Sequence, residues 1–170
     1  PIAEAGWDLP SPGPSLTMLM MNVQDPSGVT IRALGMGDYD AVLRLWAEAG
    51  LPFRPLGRDS PASMAVQLQR STAFLLAAEL EGELVGVVLG THDGRKGWIN
   101  RLAVRPGLRR RGIARLLVRE VEARMAAAGL EVIAALIETA NGASLTFFRE
   151  LGYIHDDEIE YVSKRRSVDA

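Results

Sequence analysis

The stretch Arg109-Arg110-Arg111-Gly112-Ile113-Ala114 has the clearest chemical potential in this chain. Three guanidinium groups precede a glycine, and a segment with apolar residues at helical spacing starts directly after it. Upstream, "WINRLAV" (residues 98–104) reads as a strand that stops at Arg105-Pro106. A strand, a glycine-containing loop and a helix start, in that order, suit an anion. Successive backbone N–H groups of the loop form a concave nest, and the helix N-terminus adds partial positive charge. Glycine at 112 allows close backbone approach, and the small Ala114 keeps the first helical turn open. The arginine side chains can pair with further phosphates. A nucleic acid, a small phosphorylated ligand and plain solvent would each satisfy such a loop.

Composition narrows the choice. The chain has 170 residues, enough for one domain with a single core. Its formal net charge is -2, whereas a protein living on a polyanion usually carries a basic excess. No aromatic residues interleave with the arginine run, which also speaks against a nucleic-acid surface. There is no cysteine, so disulfides, thiolate metal sites and a cysteine nucleophile are excluded. The two histidines, His92 and His155, show no metal-ligand spacing, and no metal is expected. No apolar run approaches the roughly 18 residues of a membrane span, and the start lacks a secretory pattern. A cytoplasmic protein without a membrane partner is the expectation. The loop is neither a dinucleotide fingerprint, lacking Gly-x-Gly-x-x-Gly, nor a P-loop, lacking Gly-Lys-[Ser/Thr].

The elements that must position this loop are legible along the chain. Residues 1–28 are rich in Pro, Gly and Ser, have no period, and read as a flexible leader or tag-derived tail, although "LTMLMM" could dock on an apolar patch. The folded domain is expected over 29–170. "VTIRAL" alternates as a strand; Asp38 reads as the N-cap of a helix through Gly50; Ser60-Pro61 opens a second helix over 62–70. "AFLLAAEL" and "LVGVVLGT" read as strands joined by a hairpin turn at Glu81-Gly82-Glu83. Ile113, Leu116, Leu117, Val121 and Met125 share one face of a long helix that Gly129 stops. "VIAALI" (132–137) is apolar throughout, as in a strand covered on both faces; 143–151 is a helix closed by Gly152; 153–165 supplies one or two final strands. The result is an α/β domain with a mixed sheet and helices on both faces.

At this point two segments resemble a known family. "INRLAVRPGLRRRGIARLLVREVE" is similar to the acyl-CoA-binding motif of the GNAT N-acetyltransferases, in which a strand and V-x-P precede [Arg/Gln]-x-x-Gly-x-[Gly/Ala]. "NGASLTFFRELGY" (141–153) resembles the family's next motif, and the resemblance covers about residues 29–166. It implies a mostly antiparallel sheet of six to seven strands with splayed central strands. It implies acetyl-CoA as co-substrate, with its pyrophosphate on the backbone of Arg109, Arg110, Arg111, Gly112, Ile113 and Ala114. It further implies a pantetheine arm along Leu102, Ala103 and Val104, flanked by Asn141, Ser144, Phe147 and Phe148. The acceptor would be an amine of a small molecule or a protein N-terminus, and a homodimer is common in such proteins.

Two positions depart from the family pattern. The carboxylate that often serves as base four residues before the strand-end valine is Asn100 here, and the tyrosine that often protonates the thiolate is Phe148. Glu138 is a candidate base, Tyr153 or Tyr161 a candidate acid, and His155 beside Asp156 a candidate titrating pair. Trp46, Phe53 and Arg54 are expected to line the acceptor site, where Arg54 and Arg58 would face an acidic or carboxylate-bearing acceptor. The departures also leave open a non-catalytic acyl-CoA-binding module.

Overall fold

The computed structural model describes residues 28–164, Arg166, and the backbone of Val23–Gln24. The "LTMLMM" segment lies outside the described residues. One sheet organises the domain, with strands in the order β1 (Val23–Gln24), β2 (Val29–Ala33), β3 (Ala73–Leu80), β4 (Glu83–His92), β5 (Gly97–Val104) and β6 (Ile133–Ala135). Neighbours run antiparallel except β5 and β6, which are parallel. Five strands are three residues or longer; β1 is a two-residue pairing, of Val23 with Ile31 and Gln24 with Thr30, inside the stretch expected to be a leader. Against the expected six to seven strands, the count falls short at the C-terminal end. Residues 153–164 form no strand, and Ile154, Ile159, Tyr161 and Val162 are exposed. The acidic run Asp156, Asp157, Glu158, Glu160 breaks the alternation, and the Asp156 carboxylate accepts the Glu158 N–H at 3.0 Å to form a turn. As a result β6 is an edge strand among the described residues, not a strand covered on both sides: Val132 and Leu136 at its ends are 46% and 54% exposed.

The strands' period of two divides the apolar residues between two layers. Leu76, Ala78, Val85, Val88, Ile99 and Val104 face α3 (Ile113–Ala127) and α4 (Gly142–Glu150). Leu75, Ala77, Val87, Leu89 and Ala103 face α1 (Tyr39–Ala49) and α2 (Pro61–Leu68). Helix α3 buries Ile113, Leu117, Val118, Val121 and Met125, each worth about 1.5–3 kcal/mol of transfer free energy. Val118 joins this face more completely than Leu116, which is half-buried. The helix lies close because the sheet beneath it is glycine. A Cβ at Gly90 would stand 2.6 Å from a Val121 methyl, and one at Gly97 would collide with the Met125 sulfur.

The caps explain the helix starts. Ser60 Oγ accepts the Ser63 N–H at 3.3 Å, with Pro61 at the first helical position, as the sequence suggested. Asp38 precedes α1 but makes no side-chain bond to it. Its carboxylate instead takes two hydrogen bonds from the Arg32 guanidinium, at 2.8 and 2.9 Å, and one from the Gly35 N–H. That pairing holds the Asp38 pKa below its ordinary value. Among the described residues no helix is long and apolar enough to cross a membrane.

Candidate functional site

The loop between β5 and α3 begins with a short 3-10 turn, Pro106–Leu108, in which the Leu108 and Arg109 N–H groups return to Arg105 and Pro106 carbonyls. Arg110 then takes φ +62° and Gly112 takes φ +84°, both left-handed. Such reversals turn neighbouring N–H groups toward one side. Gly112 is the N-cap of α3 and offers no side-chain cap, and its carbonyl accepts first from Leu116. The N–H groups of Ile113, Ala114 and Arg115 therefore lack protein partners among the described residues. A Cβ built on Gly112 meets nothing within 4 Å, so the space before the helix end is open. The three arginines differ. Arg109 turns inward, donating to the Val104 carbonyl at 3.3 Å and the Ala49 carbonyl at 3.0 Å, and so ties the loop to the end of α1. All three arginines are exposed, but the Arg109 guanidinium is engaged by these carbonyls, whereas Arg110 and Arg111 form no ion pair among the described residues.

Beside this loop the sheet opens. The β5–β6 register ends at Ile99 with Ala135, leaving the β6-side edge of Leu102, Ala103 and Val104 without a strand partner. Parallel pairing of β5 with β6 stops after three residue pairs. Helix α4 follows β6 in the chain, after residues 136–141. Asn141 caps it, its Oδ1 accepting the Ser144 N–H at 3.1 Å, and its own N–H donates to the Glu138 carbonyl at 2.8 Å. Ser144 and Phe147 are half-buried, but Phe148 is only 5% exposed and packs edge-to-face on both Phe147 and Tyr153.

On the opposite face of the sheet, between α1, α2 and β5, lies a cavity of about 310 Å³. A β-bulge shapes it. Leu89 pairs with Asn100 and Val87 with Ala103, so Arg101 and Leu102 together oppose Val88. Leu102 packs toward α3, and Arg101, at φ +53°, joins Asn100 on the cavity wall. The Arg101 Nη2 donates to both oxygens of Asp59 at 2.7 and 2.8 Å, and Nη1 donates to the Pro52 carbonyl. Its guanidinium stands 5.0 Å from the centre of the Trp46 ring, within cation–π range. Asp59, 6% exposed, also accepts the Arg54 backbone N–H at 2.7 Å. Burial lowers the Arg101 pKa; the Asp59 charge works against this, and Arg58 and Arg54 add to the lowering. Neither Arg101 nor Asp59 was singled out from sequence. The available signal was an arginine inside an otherwise apolar strand, which needs a buried counter-charge.

Trp46 lines this cavity but is 1% exposed, its Nε1 without a partner, and Phe53 leans on it with ring centres 6.2 Å apart. Arg54 contributes through its backbone N–H to Asp59. The candidate catalytic groups do not converge. Asn100 is on the cavity wall, whereas Glu138 is exposed in the segment after β6. The Tyr153 hydroxyl donates to Glu122 on α3 at 2.7 Å, and burial followed by that carboxylate pushes its pKa far up, which suits a structural phenol better than a proton donor. Tyr161 is 68% exposed in the C-terminal segment. His155 contacts Asp157 at 3.2 Å and Arg149 at 3.0 Å, so its carboxylate partner is Asp157 and not Asp156. Among the described residues no cluster of His, Cys, Asp or Glu could hold a metal ion.

A loop with left-handed residues opening a helix, an unpaired strand edge beside it and a cavity on the other face of the sheet are the features that this fold brings together among the described residues. The chain belongs to the acetyltransferase (GNAT) family, whose pattern its residues 41–153 match. It is similar to "Acetyltransferase SG1711" of Sodalis glossinidius, 31% identical over 135 residues that span 79% of this chain and 94% of that protein. Its fold is shared with the PaiA N-acetyltransferase of Thermoplasma acidophilum, solved in complex with coenzyme A (TM-score 0.70, 19% identity, covering 77% of this chain and 92% of that one). An aminoglycoside acetyltransferase from an uncultured soil metagenomic sample, solved in complex with sisomicin, shares it too (TM-score 0.70, 17% identity, 83% and 98% coverage).

Proposed function

We propose that this chain moves an acetyl group from acetyl-CoA to a primary amine of a small molecule or a protein N-terminus, by direct attack when both are bound. The observation that carries the reading is the uncapped start of α3, whose first N–H groups have no protein partners among the described residues and where a Cβ on Gly112 would meet nothing within 4 Å. There the pyrophosphate would lie on the backbone of residues 110–114, with Arg110 and Arg111 as further phosphate partners. The pantetheine arm would follow the free edge of Leu102–Val104, and Asn141, Ser144 and Phe147 would flank it. The amine nitrogen forms a bond to the thioester carbonyl carbon, the C–S bond breaks, and the proton lost by nitrogen is balanced by protonation of the thiolate. Backbone N–H groups at the β5 edge can stabilise the developing oxyanion.

With Asn100 in place of a carboxylate, the amine must arrive neutral or pass its proton to water. Orientation of two bound substrates can still supply about 7–11 kcal/mol in favourable cases. Coenzyme A release measured against pH with a good acceptor should therefore rise well above neutrality with the acceptor's own titration, without a bell-shaped fall near neutral pH. Glu138→Gln should leave that profile unchanged, because Glu138 is exposed; a marked fall in turnover would make Glu138 the base. A second reading, a non-catalytic acyl-CoA-binding module, is favoured by Asn100 and by the burial of Phe148. Acetyl-CoA binding without thiol release for any amine would establish it.

A further inference from the structure

We propose that the acceptor amine also carries a carboxylate, and that Arg101 is the residue that selects it. The proposal rests on the acetyltransferase reading above and concerns the acceptor side of the same site. The charged groups on the cavity wall are Arg58, Asp59 and Arg101, a positive excess, and Arg54 lies close enough to act on Arg101 as well. Asp59 is already satisfied by Arg101 and by the Arg54 N–H, so it is not a free anion that would attract an ammonium group.

Arg101 keeps donors in reserve. A guanidinium has five N–H groups in a fixed fork. The Nη2 pair is spent on Asp59 and one Nη1–H on Pro52, leaving the Nε–H and the other Nη1–H without partners among the described residues. Its backbone is held at φ +53° inside a strand, a conformation that a non-glycine residue keeps only where its surroundings enforce it. Here the bulge turns that side chain onto the cavity wall beside Asn100. Apart from Gln67 and Asn100, the remaining wall is apolar, with Trp46, Met64, Leu75 and Leu89, and suits the carbon skeleton of a small amino acid.

The same field addresses the missing base. A positive cavity penalises an ammonium ion and favours the neutral amine, the form that can attack. Polycationic acceptors are penalised twice, once per extra charge, which separates this chain from an aminoglycoside-modifying role.

The test compares L-leucine with L-leucinamide, which differ in the carboxylate, and with spermidine as a polycation. Because the amide is the weaker base, kcat/KM is expressed per free amine. Leucine should exceed leucinamide by about tenfold or more, the scale of one charge-assisted hydrogen bond to a largely buried guanidinium. Spermidine should be the poorest. Arg58→Gln should shrink the leucine-to-leucinamide ratio several-fold, and Arg101→Lys, which keeps the charge but loses the fork, should raise KM for leucine more than for leucinamide. A purely structural Arg101 would lower both acceptors equally. Equal or better use of leucinamide or spermidine overturns the proposal while the acetyltransferase reading stands. Thiol release that no amine accelerates removes that reading and the proposal with it.

Discussion

Asp59→Asn probes the structural core of the acceptor side. In the folded protein the Asp59 and Arg101 side chains are 8% and 14% exposed and joined by two hydrogen bonds of 2.7 and 2.8 Å. Removing one partner of a buried pair typically costs about 3–5 kcal/mol, since the other charge is left without compensation. Asparagine retains an acceptor for Arg101 or for the Arg54 N–H, and Arg101 sits over the Trp46 ring. Both features bring the expected loss below that range, to about 2–3 kcal/mol. For a chain of this size each kcal/mol shifts Tm by about 2–4 °C, so the fall should be about 4–12 °C. Urea unfolding should show the same loss as a lower midpoint at unchanged slope. The double variant Asp59→Asn/Arg101→Gln should recover part of it, since the two sites are in contact. A loss below about 0.5 kcal/mol, typical of surface substitutions, would refute the buried-pair argument.

Two further substitutions test the assignments near α4. Tyr153→Phe should cost about 1 kcal/mol by removing the bond to Glu122 and leave turnover unchanged. Because the folded state holds the phenol proton more tightly than the unfolded chain, wild-type stability should be complete below pH ~10 and decline above it. The variant should lack this alkaline decline, and a large loss of turnover would instead make Tyr153 the proton donor. Phe148→Tyr should destabilise the protein by about 1–3 kcal/mol through an unpaired buried hydroxyl, without a gain in turnover. Faster turnover at unchanged Tm would show that the ring edge reaches the thioester.

The helices and the antiparallel meander were readable because their signals are local. Ser60-Pro61, Gly50 and the period of α3 each depend on residues within a few positions. What sequence missed depends on distant partners. The Arg101–Asp59 pair joins residues 42 apart and depends on a bulge that turns Arg101 to the α1–α2 face of the sheet. Arg109 looked like its neighbours, yet reaches the Ala49 carbonyl 60 residues away. The final strands failed for a different reason: carboxylates interrupt the apolar positions of residues 153–164 and favour a turn. The loop proposed to hold the phosphates could be located because the strand-to-helix order and Gly112 lie in one short segment.

Calorimetric titration of acetyl-CoA into the wild-type protein and into Gly112→Glu tests the central claim most directly. Gly112 has φ +84° and empty space around its Cβ direction, so a side chain costs about 1 kcal/mol of backbone strain and leaves the fold intact. A glutamate there also puts a carboxylate before the uncapped N–H groups of α3, in the path of the pyrophosphate. The account predicts one acetyl-CoA per chain for the wild type and loss of measurable binding for the folded variant. Wild-type affinity in Gly112→Glu, or no binding of acetyl-CoA to the wild type, would contradict it.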